Sequence, residues 1–306
     1  MFSMKHISMN YGNIKKDGFH PQGYINTKEF VLISAYYRRR LFFKRLHSRI
    51  YCYSKKNNKL VGIFVLPSFA HVGGIALDED HKVLFVTDRG GKIKSYRYDK
   101  MIGYLNQSEI KINFSGDRKE KGIRVDDEEI SLKNNIHLSN VVGHSINAST
   151  ITFYQNHLYA ATFGYRGLLV QYELNYQKNK LTATGKLISD ELPGAIQGIT
   201  FYKKDRNTYL ITSQSYGGKK HRYGTRSSLK RYLFLRDKLY FKGQKVMDYY
   251  YSEGICCDQK GCITSIHEMS SGSTNQIIST SFQDLTEEWD ENLELSYQKG
   301  VDVFKL

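Results

Sequence analysis

A two-part pattern recurs five times along this chain and constrains its fold more than any other feature. Short polar segments, most of them with a glycine, open apolar runs; they lie at residues 20–23, 71–74, 147–149, 196–198 and 252–254. An aliphatic residue followed three positions later by an aromatic one lies near the end of each unit; these pairs are Ile50/Tyr53, Ile93/Tyr96, Leu169/Tyr172, Leu229/Tyr232 and Val301/Phe304. Self-similarity with a period on the order of forty to fifty residues is typical of the blades of a β-propeller.

Composition supports this interpretation. The 306 residues include 24 tyrosines and 16 phenylalanines but only three prolines, and strands favour aromatic residues and exclude proline from the interior of their ladders. We therefore predict an all-β protein. Its parts are a lead-in over residues 1–18 and a single β-propeller of four-stranded antiparallel meanders over residues 19–306.

The number of blades depends on residues 105–143, which break the rhythm of the repeat. They contain two modest strand candidates, at 110–114 and 130–132, around a charged loop. The segment is either a degenerate blade or an insertion that projects from one face. We favour six blades, with the lead-in and this segment supplying the missing strands, and five blades with a long loop is the alternative.

The opening segments supply the candidate binding residues. The first strand of each propeller blade lines the central channel, so we expect the polar residues at these openings to converge on one end of the axis. The predicted axial ligand-binding residues are Gln22, His71, Asn147, Ser149, Gln197 and Glu253.

Some of these residues have side chains that bind metal. His20 and His71 share a His–x–x–Gly frame, and Glu253 is the carboxylate of the opening segments. Two imidazoles and one carboxylate could hold zinc or another divalent transition metal, whereas a calcium site normally requires more carboxylate oxygens. The same polar groups could instead satisfy one another, the backbone and trapped water.

The four cysteines leave the redox state open. Cys256 and Cys257 are adjacent and Cys262 lies close behind them, which is not the spacing of a zinc ribbon. A Cys257–Cys262 bridge across a hairpin would form only in an oxidising compartment, and free thiols are the alternative.

The start of the sequence lacks the layout of a signal peptide, and no apolar stretch has the length of a membrane span. We expect a cytoplasmic protein, or an extracellular or cell-surface one if an export segment is missing from this sequence.

A net charge of +15 predicts an affinity for polyanions. The basic clusters are local, at residues 38–40, 44–45 and 219–222, and a solvated basic face would account for them equally well. No nucleic-acid recognition motif accompanies them, so a nucleic-acid partner is not expected. No serine-hydrolase elbow, phosphate loop or dinucleotide fingerprint is present.

Several phrases of the sequence, at residues 20–23, 71–76, 193–199, 213–217, 227–232 and 252–254, carry a resemblance to a group of bacterial, often exported, six-bladed β-propeller proteins. The fold of that group is similar to the gluconolactonase and strictosidine-synthase-like propellers. In the lactonase branch, a Glu–Gly opening helps to hold an axial divalent cation that polarises the substrate carbonyl. Glu253 and Gly254 match that element, whereas the Asn and Asp partners are not evident in this sequence.

Two functions follow as hypotheses. The first is a non-catalytic binding or scaffold propeller, surface-associated, that holds a protein, a small molecule or an anionic polymer on its loop face. The alternative is a metal-dependent hydrolase of the lactonase or esterase type, in which a cation held by Glu253, His71 and His20 acts as a Lewis acid.

Overall fold

The computed structural model describes residues 14, 16–37, 46–105, 112–115, 118–125, 128–144, 146–178, 180–216, 225–268 and 277–295. The pair Val301/Phe304 and the basic clusters at 38–40, 44–45 and 219–222 therefore lie outside the described residues. Strands dominate the described chain, which confirms the all-β prediction.

The first unit is an antiparallel meander in which strands pair in chain order. Its strands are β1 (Phe19–Asn26), β2 (Phe30–Tyr37), β3 (Arg49–Ser54) and β4 (Lys59–Val65). Five consecutive residues in the middle of β2 are buried, because other units cover both faces of this sheet. An unbroken run of β-branched and aliphatic residues, rather than an apolar–polar alternation, is the pattern that such a strand requires.

The second unit begins with a three-stranded meander and takes its fourth strand from the irregular segment. The elements of this region are β5 (Ile75–Asp78), β6 (Val83–Thr87), β7 (Ile93–Arg97), α1 (Tyr98–Leu105), β8 (Ile112–Ser115), β9 (Arg118–Lys121), β10 (Ile123–Arg124), β11 (Ser131–Asn134) and α2 (Ser139–Val142). Strand β11 pairs antiparallel with β7, and β10 pairs parallel with the outer strand β4 of the first unit. Strands β8 and β9 pair with each other.

The third and fourth units are four-stranded antiparallel meanders, and the fifth has three strands among the described residues. Their strands are β12 (Ala148–Tyr154), β13 (His157–Thr162), β14 (Arg166–Tyr176) and β15 (Lys180–Pro193), then β16 (Ile196–Lys204), β17 (Asn207–Tyr216), β18 (Thr225–Leu235) and β19 (Lys238–Val246), then β20 (Ser252–Cys257), β21 (Cys262–His267) and β22 (Ile277–Ser281). Strand β11 also pairs parallel with the start of β15, which joins the second and third sheets.

Each opening segment begins the first strand of a unit, and these first strands contact one another in a cycle. The neighbours along the cycle are β1 and β5, β5 and β12, β12 and β16, β16 and β20, and β20 and β1. A Cβ atom at Gly254 would lie 2.5 Å from the backbone nitrogen of Tyr24, and one at Gly74 would lie 2.5 Å from that of Ile151. The glycines of the opening segments are therefore required by the close approach of neighbouring first strands.

Apolar side chains fill the space between successive units. Five main clusters lie between the first and second, second and third, third and fourth, fourth and fifth, and fifth and first units. The last of these joins Ile266 and Ile277 of the fifth unit to Val31 and Tyr51 of the first, and Ile14 of the lead-in packs into it. Burial of apolar surface thus connects the end of the described chain to its beginning.

The blade count favoured from the sequence is not confirmed. The described strands form five units, and the described strands of residues 105–143 pair with the outer edges of the first two units or with each other. Within the described part of the chain, no helix is long and apolar enough to cross a membrane.

The cysteines lie in strands, and all four are free thiols. Cys257 is paired with Ile263 across the β20–β21 hairpin. Because directly opposed residues share a face of the sheet and successive residues alternate, Cys257 and Cys262 point to opposite faces. The register therefore disfavours the Cys257–Cys262 bridge that the spacing allows.

Candidate ligand site at the leading end

The leading end is the end of the molecule at which the first strand of each unit begins. Because consecutive strands are antiparallel, the second strand of each unit finishes there. The opening segments, the residues that follow the second strands and the connections between units consequently meet at this end.

Glu268, which directly follows β21, ties the fifth unit to the first. His20 Nδ1 lies 2.5 Å from Glu268 Oε1, and Gln22 Nε2 donates a hydrogen bond of 3.0 Å to Glu268 Oε2. A carboxylate only accepts hydrogen bonds, so the His20 ring carries its hydrogen on Nδ1. Both oxygens of Glu268 are therefore held by residues that precede it by more than 240 positions.

His71 extends this cluster to the second unit. The Tyr36 ring lies between the two imidazoles, with its centroid 4.1 Å from that of His71 and 5.5 Å from that of His20. The His71 side chain is exposed to solvent, in the segment just before β5. Desolvation by the surrounding protein lowers the pKa of His71; the charge of Glu268 opposes this shift and that of His20 adds to it.

The two carboxyl groups of the cluster have pKa values shifted in opposite directions. Glu253 is 4% exposed, and its burial, together with the nearby charge of Glu268, raises its pKa well above the ordinary value. Burial by itself would also raise the pKa of Glu268. Other interactions outweigh burial and lower this pKa; they are the hydrogen bond from His20, the charges of His20 and His71, and the hydrogen bond from Gln22. Glu268 is thus the ionised member of the pair.

Two buried groups of this cluster lack hydrogen-bond partners among the described residues. Gln22 is fully buried; its Nε2 donates to Glu268 and, over 2.8 Å, to the carbonyl of Pro21, but its Oε1 has no partner. No described residue forms a hydrogen bond with the Glu253 carboxyl group either. Buried polar atoms are normally paired, so unpaired atoms beside a solvent-accessible imidazole indicate a place for a bound group.

The structure brings together some of the predicted axial residues and separates others. Gln22, His71 and Glu253 all interact with Glu268, through a hydrogen bond in the first case and electrostatically in the other two. Asn147 Oδ1 instead accepts a hydrogen bond from the backbone of Gly91, and Ser149 Oγ donates one to the carbonyl of Ala161. Gln197 is half-buried near the start of β16.

Metal binding by His20, His71 and Glu253 stays a prediction. No group of three or more His, Cys, Asp and Glu side chains among the described residues is arranged to hold a metal ion. His20 Nδ1 faces Glu268, and burial raises the pKa of Glu253.

Sequence reasoning missed Glu268 and Tyr36, both of which lie beside the ends of second strands. A signal was present in the meander itself, since the residue that ends the second strand must lie across from the opening segment of the same unit. Ser252 pairs with His267, one position before Glu268, and Tyr36 pairs with His20.

The fourth unit has its own buried polar cluster in the corresponding place. Gln214, near the end of β17, donates from Nε2 to the carbonyl of Gly194 over 2.7 Å, and the same atom lies 3.4 Å from Glu294 Oε2. Lys230 Nζ donates to Glu294 Oε2 over 2.6 Å and lies 4.2 Å from the centroid of the Trp289 ring. This cluster joins the segment after β22 to the fourth sheet and is occupied by the protein's own side chains.

No protein-family model and no curated protein matches the chain. Among solved structures, it is similar to a protein of unknown function from Bacteroides thetaiotaomicron, with 15% identity over 85% of this chain and 58% of that one and a TM-score of 0.42. It is similar to the Dos1 propeller at 11% identity, covering 85% of this chain and 54% of that one with a TM-score of 0.36. The WD40 repeats of RRP9 match at 8% identity, over 86% of this chain and 94% of that one, with a TM-score of 0.37.

The chain spans just over half the length of the first two of these proteins. Identities and scores of this size do not bear on function. The strand order and the cycle of contacts between first strands are the features that define the architecture.

Proposed function

We propose that this chain forms a single five-bladed β-propeller, residues 19–306, with an insertion at about 105–143, and that it is a non-catalytic binding protein. The cycle of five first strands and the five apolar clusters between units support the ring. The irregular segment supports an insertion, since β10 and β11 add to outer edges of the first two units.

The observation that carries the binding function is the cluster around Glu268. Side chains of three units are held there by hydrogen bonds and ring contacts, so their geometry is set before a ligand arrives. Preorganisation of this kind lowers the entropic cost of binding. The accessible His71 ring lies at the surface of the cluster, whereas Gln22 and Glu253 lie buried within it. A small polar ligand that enters past His71 would contact all three units.

Association with a cell surface or an anionic polymer remains part of this proposal. It rests on the net charge and on basic segments outside the described residues, so the structure adds no contact to it. The cluster around Glu268, by contrast, consists of groups that favour a small polar ligand.

A thermal-shift comparison of three proteins tests the proposal. The three proteins are the wild type, His71→Ala at the leading end, and His157→Ala at the opposite end, where His157 begins β13. Each is heated with polyphosphate, methyl glycosides, alkylamines, divalent metal salts, and short esters or lactones. At a concentration of a hundred times Kd, a bound ligand stabilises the folded state by about 2.7 kcal/mol. We expect at least one class to raise Tm in the wild type and His157→Ala but not in His71→Ala.

Three outcomes contradict the proposal. If no class raises Tm, the cluster is not a binding site for these chemistries and the proposal fails. It also fails if His71→Ala responds as the wild type does. Hydrolysis of an ester or lactone that His71→Ala abolishes would replace binding by catalysis.

A further inference from the structure

We propose that the leading-end site binds a small molecule with a primary ammonium group, and that this group lies among Gln22, Glu253 and Glu268. The inference rests on the proposed function and specifies the chemical class of its ligand. Three observations of different kinds support it: the unmet hydrogen bonds, the charges, and the aromatic ring at the mouth of the site.

The unmet hydrogen bonds require a donor. The Oε1 atom of Gln22 is a buried acceptor without a partner, and the amide cannot be turned around to relieve it, because Nε2 donates to both Pro21 and Glu268. The Glu253 carboxyl group, which is 4% exposed, adds further acceptor capacity without a described partner. An ammonium group has three N–H donors and no acceptor, which matches this requirement.

The charges favour a cation over a neutral donor. Two carboxyl groups interact in a buried region, where Glu268 accepts hydrogen bonds from His20 and Gln22. Glu268 is the ionised member of the pair, and a cation beside it offsets the cost of burying its charge. The same net attraction would be absent for an alcohol or a sugar hydroxyl.

The ring of Tyr36 supplies a surface for the organic part of the ligand. It is half-buried between His20 and His71, 4.1 Å from the His71 ring by centroids. The face of an aromatic ring attracts cations and packs against methylene groups. The ammonium group of a small alkylamine would therefore contact the acceptors, and its carbon chain would pack beside the rings. A bare metal ion would contact only the acceptors.

Titration calorimetry with methylammonium and tetramethylammonium tests the inference. Both ions carry one positive charge, but tetramethylammonium has no N–H donor. For the wild type we expect the affinity for methylammonium to exceed that for tetramethylammonium by at least tenfold. Magnesium, calcium and zinc chlorides are titrated in parallel.

Variants locate the binding. Glu253→Gln keeps the shape of the side chain but replaces one of its oxygens by an amide nitrogen and prevents ionisation, and we expect it to weaken methylammonium binding at least tenfold. Glu191→Gln, which changes an exposed residue near the end of β15, is the matched control and should bind within twofold of the wild type. Circular dichroism and Tm establish that each variant is folded; if Glu253→Gln is not, Gln22→Leu takes its place.

Three results would overturn the inference. The first is equal affinity for the two ammonium ions, and the second is undiminished methylammonium binding by a folded Glu253→Gln or Gln22→Leu. The third is binding of a divalent metal, in place of the amine, that depends on His71. If methylammonium fails while another class in the thermal-shift panel still depends on His71, the ammonium inference is wrong and the binding function stands. If no ligand depends on His71, both are wrong.

Discussion

At the scale of single residues, the aliphatic–aromatic pairs of the repeat are core positions of the third strands. The first four pairs lie in β3, β7, β14 and β18, and every member is 5% exposed or less. Aromatic side chains recur there because each fills the space between two neighbouring sheets. A tyrosine at such a position brings a hydroxyl group that needs a partner.

Burying the hydroxyl group of Tyr172 lowers stability, because no hydrogen bond from a described residue compensates for the lost contact with water. Its Oη is buried and has no hydrogen-bond partner among the described residues, whereas Oη of the equally buried Tyr159 accepts a hydrogen bond of 2.8 Å from Gln171. We expect Tyr172→Phe to raise the free energy of unfolding by about 1 kcal/mol and Tyr159→Phe to lower it by a similar amount. Urea denaturation measures both, and a loss of stability in Tyr172→Phe contradicts the expectation.

At the scale of elements, the first strands depend on glycine where they approach one another. We expect Gly254→Ala to destabilise the protein by about 3 kcal/mol or more, because the added methyl group would meet backbone atoms of β1 that cannot move independently. Gly103→Ala is the control: it lies in α1 with no atom within 4 Å of the added carbon, and alanine is favoured over glycine in a helix by up to about 1 kcal/mol. Thermal unfolding of the two variants should therefore shift in opposite directions.

The segment after β22 is held to the fourth sheet by a buried ion pair. Lys230 and Glu294 have side chains 1% and 8% exposed, whereas the pair Lys186–Asp237 is 61% and 45% exposed. Removing one partner of a buried pair leaves a charge without compensation, so Glu294→Gln should cost about 3 kcal/mol or more. Asp237→Asn should cost less than about 1 kcal/mol, since solvent screens the exposed pair. Equal costs in denaturation experiments would contradict this account.

At the scale of the whole molecule, several titratable groups make stability depend on pH in the same direction. His267 is 2% exposed; its Nδ1 lies 3.1 Å from the carbonyl oxygen of Tyr250, and its Nε2 lies 2.9 Å from Ser265 Oγ. Burial lowers its pKa from the ordinary 6.5 to about 4. The pKa values of His71 and Glu268 are also lowered. For each of these groups the stabilisation is present above its ordinary pKa and is lost as the pH falls through the folded-state value.

Glu253 acts in the opposite sense, because its raised pKa gives stability that is present at low pH and lost as the pH rises. The variant Glu253→Gln removes this opposing contribution. In that variant we expect the free energy of unfolding to fall by about 2 kcal/mol or more between pH 7.5 and pH 4.5, from His267 alone. The wild type should lose less over the same range. Urea denaturation at several pH values measures both, and parallel curves would contradict the opposing role of Glu253.

The sequence by itself determined the units and their internal order. The opening glycines and the aliphatic–aromatic pairs report contacts that every unit makes with its neighbour, so they recur and can be read locally. They correctly predicted the starts of the five first strands and the positions of four of the third strands. The prediction that Gln22, His71 and Glu253 share one site came from the same equivalence of the opening segments.

Only the tertiary structure decided how the irregular segment pairs and what completes the cluster. Residues 105–143 have strand-forming sequences, but whether they build a unit or extend existing ones depends on the edges left open by β4 and β7. Glu268 is not part of the repeated pattern, so the repeat does not mark it. It contacts His20, which lies 248 positions earlier in the sequence. Such a contact exists only because packing of the fifth unit against the first closes the cycle, and that closure is a property of the whole chain.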